Sequence, residues 1–200
     1  MPENIEEIEF TIFDTETTGL YPLEGDRVVE LAGLRIKGEE RLAVFDELIN
    51  PKRAVSPGAF AVNKITPQML ENAPDIAVVI PKFLEFIRGS CLCSYNAEFD
   101  MGFLNNELKI IGQPPVVDII IFDILAMARH LLPALPRYAL WYVAKALEVS
   151  SPQKHRALAD VEMTREVFLK LQNLCRQKGI LDFSEFSSRF IFKPKNSGLH

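Results

Sequence analysis

Between residues 8 and 16 one face of the chain collects Ile8, Phe10, Ile12, Asp14 and Glu16. This is the period-two spacing of a strand that starts in a core and ends in two acids. The segments "RVVELAGLRI" and "LAVFDELIN", joined by "KGEE" and closed by Pro51, read as a hairpin of two further strands. Thr66-Pro67 predicts a helix start with proline in the first helical position, ending by Pro74. Asp75 is a good N-cap for the next helical stretch, which Pro81 is expected to interrupt. "SCLCSYN" reads as a short buried strand. In "AEFDMGFLNNELKIIG", Met101, Leu104, Leu108 and Ile111 form a helical stripe that Gly112 stops. "PPVVDIIIF" is an apolar run of strand length, and "DILAMARHLL" after it is helical, with Pro133 and Pro136 as punctuation. "YALWYVAKALEV" predicts another helix. "HRALADVEMTREVFLKLQNLCRQKG" predicts the longest, with Leu158, Val161, Phe168 and Leu171 at core-facing spacing.

Three strands followed by alternating helices and strands predict an α/β fold. Its mixed sheet would have an antiparallel hairpin, parallel later strands and helices on both faces. The last twenty residues differ: they hold Phe183, Phe186, Phe190 and Phe192, four of the fourteen phenylalanines, and end in a polar tail. They read as an appended segment that packs on the domain or on a partner and frays at its end.

Composition narrows the class. Apolar residues make up 48% and charged residues 24% of the 200 residues, enough for one domain with a sizeable core. No apolar run reaches membrane-spanning length, and the acidic N-terminus "MPENIEEIEF" lacks the basic and apolar regions of a secretion signal. A soluble, cytoplasmic protein without membrane partners is expected. Three cysteines fit reduced core thiols better than a disulfide framework. A net charge of −5 argues against coating duplex nucleic acid by bulk electrostatics. It leaves room for a small nucleic-acid site where metal ions supply the positive charge.

The acids carry the chemistry. Asp14 and Glu16 leave the same strand face, and two like charges that close raise each other's pKa unless a cation intervenes. Oxygen ligands of this kind suit Mg²⁺, though an isolated D-x-E also fits a solvated strand end. Asp100 lies just inside a helix with Asn96 at the N-cap position, where a carboxylate also simply favours the helix dipole. Phe99 and Phe103 beside it fit a core. On one continuous helix, His155 and Asp160 would stand about 140° apart at 3.6 residues per turn. They converge only if His155 sits in the loop that Ser150-Ser151-Pro152 opens. A histidine kept neutral at a helix start is suited to accept a proton, and it equally fits an ordinary surface position.

"FDTETTGL", "YNAEFDMGFL" and "HRALADVEMT" resemble the three motifs of the DEDDh, or DnaQ-like, 3′–5′ exonucleases. "VNKITPQMLENAP" and "FDILAMARHLLPALPRYALWYVAKAL" resemble the segments between those motifs, so the likeness runs from about Ile8 to Lys178. It is strongest toward bacterial proofreading exonucleases of the epsilon-subunit and PolC types. The resemblance implies a ribonuclease H-like fold, a mixed five-stranded sheet flanked by helices. The exonuclease domain would then span residues 1–180, with 181–200 the Phe-rich segment and tail. It implies two divalent ions, Mg²⁺ or Mn²⁺, held by Asp14, Glu16, Asp100 and Asp160, with His155 as general base. It also places Thr15, Thr17, Thr18, Leu20, Asn96 and Phe99 around the terminal nucleotide. Two positions depart from the pattern, Tyr95 and Asn63, each standing where many members have histidine. Neither is a metal or base position, so both bear on substrate contact.

The implied reaction removes nucleoside 5′-monophosphates one at a time from single-stranded or frayed 3′ ends, on DNA in proofreading or repair. RNA trimming is the rival within the enzyme class. An accessory subunit that docks a DNA polymerase through the Phe-rich segment is the rival outside it. Four intact acids speak against a purely accessory role, since a binding module does not need them.

Overall fold

The computed structural model describes residues 4–149, 156–180 and 182–193. Strand β1 (Glu9–Thr17) is the middle of a five-stranded sheet, which is why both of its faces are apolar. It pairs antiparallel with β2 (Val28–Lys37), and β2 pairs antiparallel with β3 (Glu40–Leu48). On its other side β1 runs parallel to β4 (Cys91–Ser94), which runs parallel to β5 (Ile121–Asp123). The order β3-β2-β1-β4-β5 is the mixed sheet expected from the alternation of elements.

Helices cover both faces. On one, Phe10, Ile12 and Phe122 pack with residues of α5 (Ile124–Leu131), α6 (Leu140–Ala146), α7 (Ala157–Gln177) and α8 (Phe183–Phe190). On the other, Phe13, Leu31 and Leu92 pack against α3 (Ile76–Phe86) and α4 (Ala97–Ile110). Two short helices, α1 (Pro57–Asn63) and α2 (Pro67–Glu71), bridge β3 to α3. The α4 helix stops as its sequence predicts. Gly112 adopts φ +71°, Gln113 N–H donates to Leu108 O, and Gly112 N–H donates to Lys109 O, the two bonds of a Schellman cap. No helix among the described residues is long and apolar enough to cross a membrane.

Three local expectations need correction. Pro81 does not interrupt α3: Ile76, Val79, Ile80 and Phe83 stay buried along one continuous helix. The carbonyl that loses its donor belongs to Ala77, which is exposed, so water can satisfy it. "PPVVDIIIF" is mostly not a strand. Its two prolines cannot donate to a ladder, Val117 is exposed, and only Ile121–Asp123 pair with the four-residue β4. Helix α1 was not expected at all, although Ser56 caps it and Pro57 opens it.

The Phe-rich segment joins the core. Phe183, Phe186 and Phe190 are buried beside Phe122 and Phe168. After α8, Ile191 bridges to Phe122, and Phe192 N–H donates to Ile121 O at 2.7 Å. The chain therefore covers the β5 edge, which would otherwise present open backbone groups. Cys91, Cys93 and Cys175 are free buried thiols, and burial pushes all three pKa values up.

Candidate active site

The acids meet the end of the central strand from both faces of the sheet. Asp14 and Glu16 project to the side covered by α7, whose first turn brings Asp160 to them. Carboxylate oxygens of these three lie within 4.8 Å of one another. Glu16 stands at a register slip, where pairing with β2 moves from Glu30 to Val28 across the Glu16/Thr17 step. Such bulges re-aim side chains at strand ends.

Alternation sends Thr15 to the opposite side, where α4 lies, and there it meets Asp100. One Asp100 oxygen accepts from the Thr15 N–H at 3.0 Å and from its hydroxyl at 2.7 Å, while the other accepts from Ser94. Asp100 thus reaches the strand end from the far face and stands outside the tight three-acid group. It still acts on that group, being the neighbour that most raises Asp14 after burial itself. Helix α4 is fixed in turn by its buried Glu107, which accepts from Arg27 Nε at 2.9 Å and from Val28 N–H at 2.9 Å.

The electrostatics are those of a site short of positive charge. Burial, followed by Asp100, Glu16 and Asp160, holds Asp14 well above the usual carboxylate range. Burial, followed by Asp160 and Glu30, pushes Glu16 to about 8, against a hydrogen bond from Asn63 that lowers it. Burial lifts Asp100 to about 6, against the bonds from Ser94 and Thr15. Acids this close and this shielded from water need a shared cation to ionise together, and an all-oxygen donor set suits a hard divalent ion. The residues therefore fit the metal site expected of them.

Beside the acids lies a cavity of about 590 Å³ bordered by Thr15, Glu16, Thr17, Leu20, Asn63 and Phe99, among others. A second cavity, of about 290 Å³, is bordered by Leu20, Asn96, Phe99 and Phe103. Leu20 and Phe99 belong to both and form the wall between them. Leu20 is 65% exposed, while Phe99 is braced by Phe103 at 4.9 Å between ring centroids. Asn96 stands at the N-cap position of α4 without a side-chain capping bond. Thr17 turns its hydroxyl to Gly19 O at 2.6 Å. Thr18 is buried behind the cavity, its hydroxyl donating to Asp26 at 2.8 Å and its carbonyl accepting from Ser56 N–H. A Cβ at Gly19 would come within 2.2 Å of the Asp26 carboxylate and push that side chain off Thr18 and Tyr21. His155 lies outside the described residues.

A family model described as "Exonuclease", of the RNase T type, matches residues 11–168. The chain belongs to the RNase T/DnaQ-like exonuclease family. Members of this exonuclease family are hydrolases of phosphodiester bonds. The exonuclease is 35% identical over 180 residues to a DNA polymerase III PolC-type of Caldanaerobacter subterraneus subsp. tengcongensis, covering 90% of this chain and 13% of that protein. It is 35% identical over 183 residues to a DNA polymerase III subunit epsilon-like protein of Rhodobacter capsulatus, covering 90% of this chain and 26% of that one. The chain thus spans between about an eighth and a quarter of these relatives. Among solved structures it resembles exonuclease X in complex with 5′ overhanging duplex DNA. The TM-score is 0.67 and the identity 27%, over 85% of this chain and 93% of that one.

Reading the sequence missed how α1 contributes. Asn63, at its end, donates to Thr17 O at 3.2 Å and lowers the pKa of neighbouring Glu16, so α1 is both a cavity wall and a brace for the strand end that carries this acid. The cue was present: Ser56-Pro57 carries the same start signal as Thr66-Pro67. Tyr95 is buried in the core on the α7 side, and its hydroxyl donates to Tyr138 O.

Proposed function

We propose that the chain is a metal-dependent 3′–5′ exonuclease that removes nucleoside 5′-monophosphates from single-stranded or frayed DNA ends. The observation that carries this reading is the meeting of Asp14, Glu16 and Asp160 within 4.8 Å, beside a nucleotide-sized cavity. Asp14, Glu16 and Asp160 would hold divalent ions, Mg²⁺ or Mn²⁺, with Asp100 reaching them from the other face. Two such ions, when bound, supply Lewis acidity toward an attacking water and toward the scissile phosphate. The chain's own residues do the rest. The larger cavity takes the terminal nucleotide, and Leu20 and Phe99 hold its base apart from the preceding one. His155 accepts the proton of the attacking water, an assignment supported by its place in "HRALAD". The cavity walls are largely apolar, which favours stacking over base-specific hydrogen bonds.

DNA is the substrate of choice because the relatives are DNA polymerase III proteins and exonuclease X was solved with DNA. Kinship with DNA polymerase III proteins supports a proofreading role beside a polymerase subunit. The test is incubation of 5′-labelled single-stranded DNA, and RNA of the same sequence, with Mg²⁺, Mn²⁺ or chelator. A ladder of shortened DNA, absent with chelator and slower on RNA, is expected. Primers with mismatched ends should be trimmed faster than matched ones. Internal cuts in circular single-stranded DNA would overturn the reading.

A further inference from the structure

Helix α7 carries Asp160 in its first turn, yet its own N-cap residue, Arg156, offers no side-chain capping bond. The cap comes from across the sheet. Glu30, on β2 directly opposite Glu16, is 1% exposed and accepts the Ala157 N–H at 2.9 Å. The same carboxylate takes Arg156 Nε on both oxygens at 3.0 Å, and the Arg156 terminal nitrogen as well. One buried acid therefore grips the first helical N–H and the residue before it.

The placement is unusual in its economy. A buried unpaired carboxylate beside Asp14 and Glu16 would add a further negative charge to a crowded site. Pairing with Arg156 offsets part of that charge, although Glu30 still raises Glu16, and it leaves the acid acting as a clamp. The clamp ties β2, next to the ligand strand, to the start of the helix that delivers Asp160. It also fixes the residue to which His155 is covalently bonded.

We infer that Glu30 and Arg156 are positioning residues that set Asp160 against Asp14 and Glu16 to form the metal site. This inference rests on the metal site proposed above. Glu30 touches neither substrate nor metal in it; its effect passes through the first turn of α7. Side chains that orient metal ligands from behind commonly account for 10- to 100-fold in metal affinity.

The test is Mn²⁺ binding by calorimetry to the full chain, well below each variant's melting temperature, alongside steady-state kinetics. Deleting Glu30 alone would leave Arg156 as an uncompensated cation and weaken metal binding by charge, so the pair is changed together. Glu30→Ala with Arg156→Ala conserves net charge and removes the clamp; Mn²⁺ affinity should fall by about tenfold or more, with kcat falling more than KM rises. Glu30→Gln with Arg156→Gln conserves net charge, keeps the volume at position 30 and most of it at 156, and leaves an acceptor for Ala157 N–H. It should fold even if the alanine pair does not, and still lose affinity, by less. Wild-type Mn²⁺ affinity in whichever of these variants folds would overturn the inference while leaving the metal site standing. A wild type that binds no Mn²⁺ would overturn the metal site and the inference with it.

Discussion

The backbone amide and the hydroxyl of Thr15 converge on a single oxygen of Asp100, at 3.0 and 2.7 Å. Three successive residues of β1 therefore serve the site: Asp14 and Glu16 as acids on one face, Thr15 as the hold on Asp100 from the other. Thr15→Val keeps the shape and the amide bond and removes only the hydroxyl. A hydrogen bond to a charged group contributes about 1.5–3 kcal/mol, so urea unfolding at pH 8 should show a loss of that order. A loss within error of zero would mean that the amide alone fixes Asp100.

Stability of the metal-free protein should fall as pH rises. Glu16 has an ordinary pKa of 4.5 and is pushed to about 8 in the fold, and Asp14 is shifted the same way. Between these values the native state keeps a proton that the unfolded chain has released. The missing stability is then small below pH 4.5 and full above pH 8, growing by about 1.4 kcal/mol per unit for each such group. Thermal melts in chelator from pH 5 to 8 should decline for this reason, and Mg²⁺ or Mn²⁺ should flatten the decline. A flat profile in chelator would contradict the origin assigned to it.

Phe99→Ala should damage substrate handling more than folding. Phe99 is only partly buried and rests on Phe103, so the fold loses little. Stacking of a base on an aromatic ring contributes about 1–3 kcal/mol. The expected result is a roughly ten- to hundredfold drop in kcat/KM on single-stranded DNA, with Mn²⁺ affinity retained. Equal loss of Mn²⁺ binding would mean that Phe99 supports the acids instead.

Phe186→Ala tests the C-terminal helix. Phe186 is fully buried, with ring centroids 5.0 Å from Phe122 and 5.3 Å from Phe190. Emptying such a position costs about 3–5 kcal/mol. Chemical denaturation should show it, and truncation after Lys178 should cost more. An unchanged midpoint would make α8 an ornament on an independent fold.

What was legible in the sequence is what local rules govern. Period-two spacing put Asp14 and Glu16 on one face, and helical spacing put Met101, Leu104 and Leu108 in the core, because both depend only on near neighbours. Pro81 misled because the cost of a missing N–H depends on whether the freed carbonyl faces water, and Ala77 is exposed. "PPVVDIIIF" misled because apolar character does not guarantee a pairing partner, and β4 offers only Cys91–Ser94. The grip of Thr15 on Asp100, and that of Glu30 on Arg156, join residues 85 and 126 positions apart. No spacing rule spans such distances. All four acids could be named from motifs, but only the folded structure shows that Asp100 comes from the other side of the sheet.

The wall of Leu20 and Phe99 has a mechanical consequence for the proposed enzyme. With one compartment on each side, a released mononucleotide empties the larger room, and the next base must lift over the same two side chains to enter it. The stride is then one nucleotide, enforced by architecture rather than by the chemistry of cleavage. A barrier that every base must climb anew works as an escapement: it favours ends already loosened from a partner strand and stalls on ends that are held.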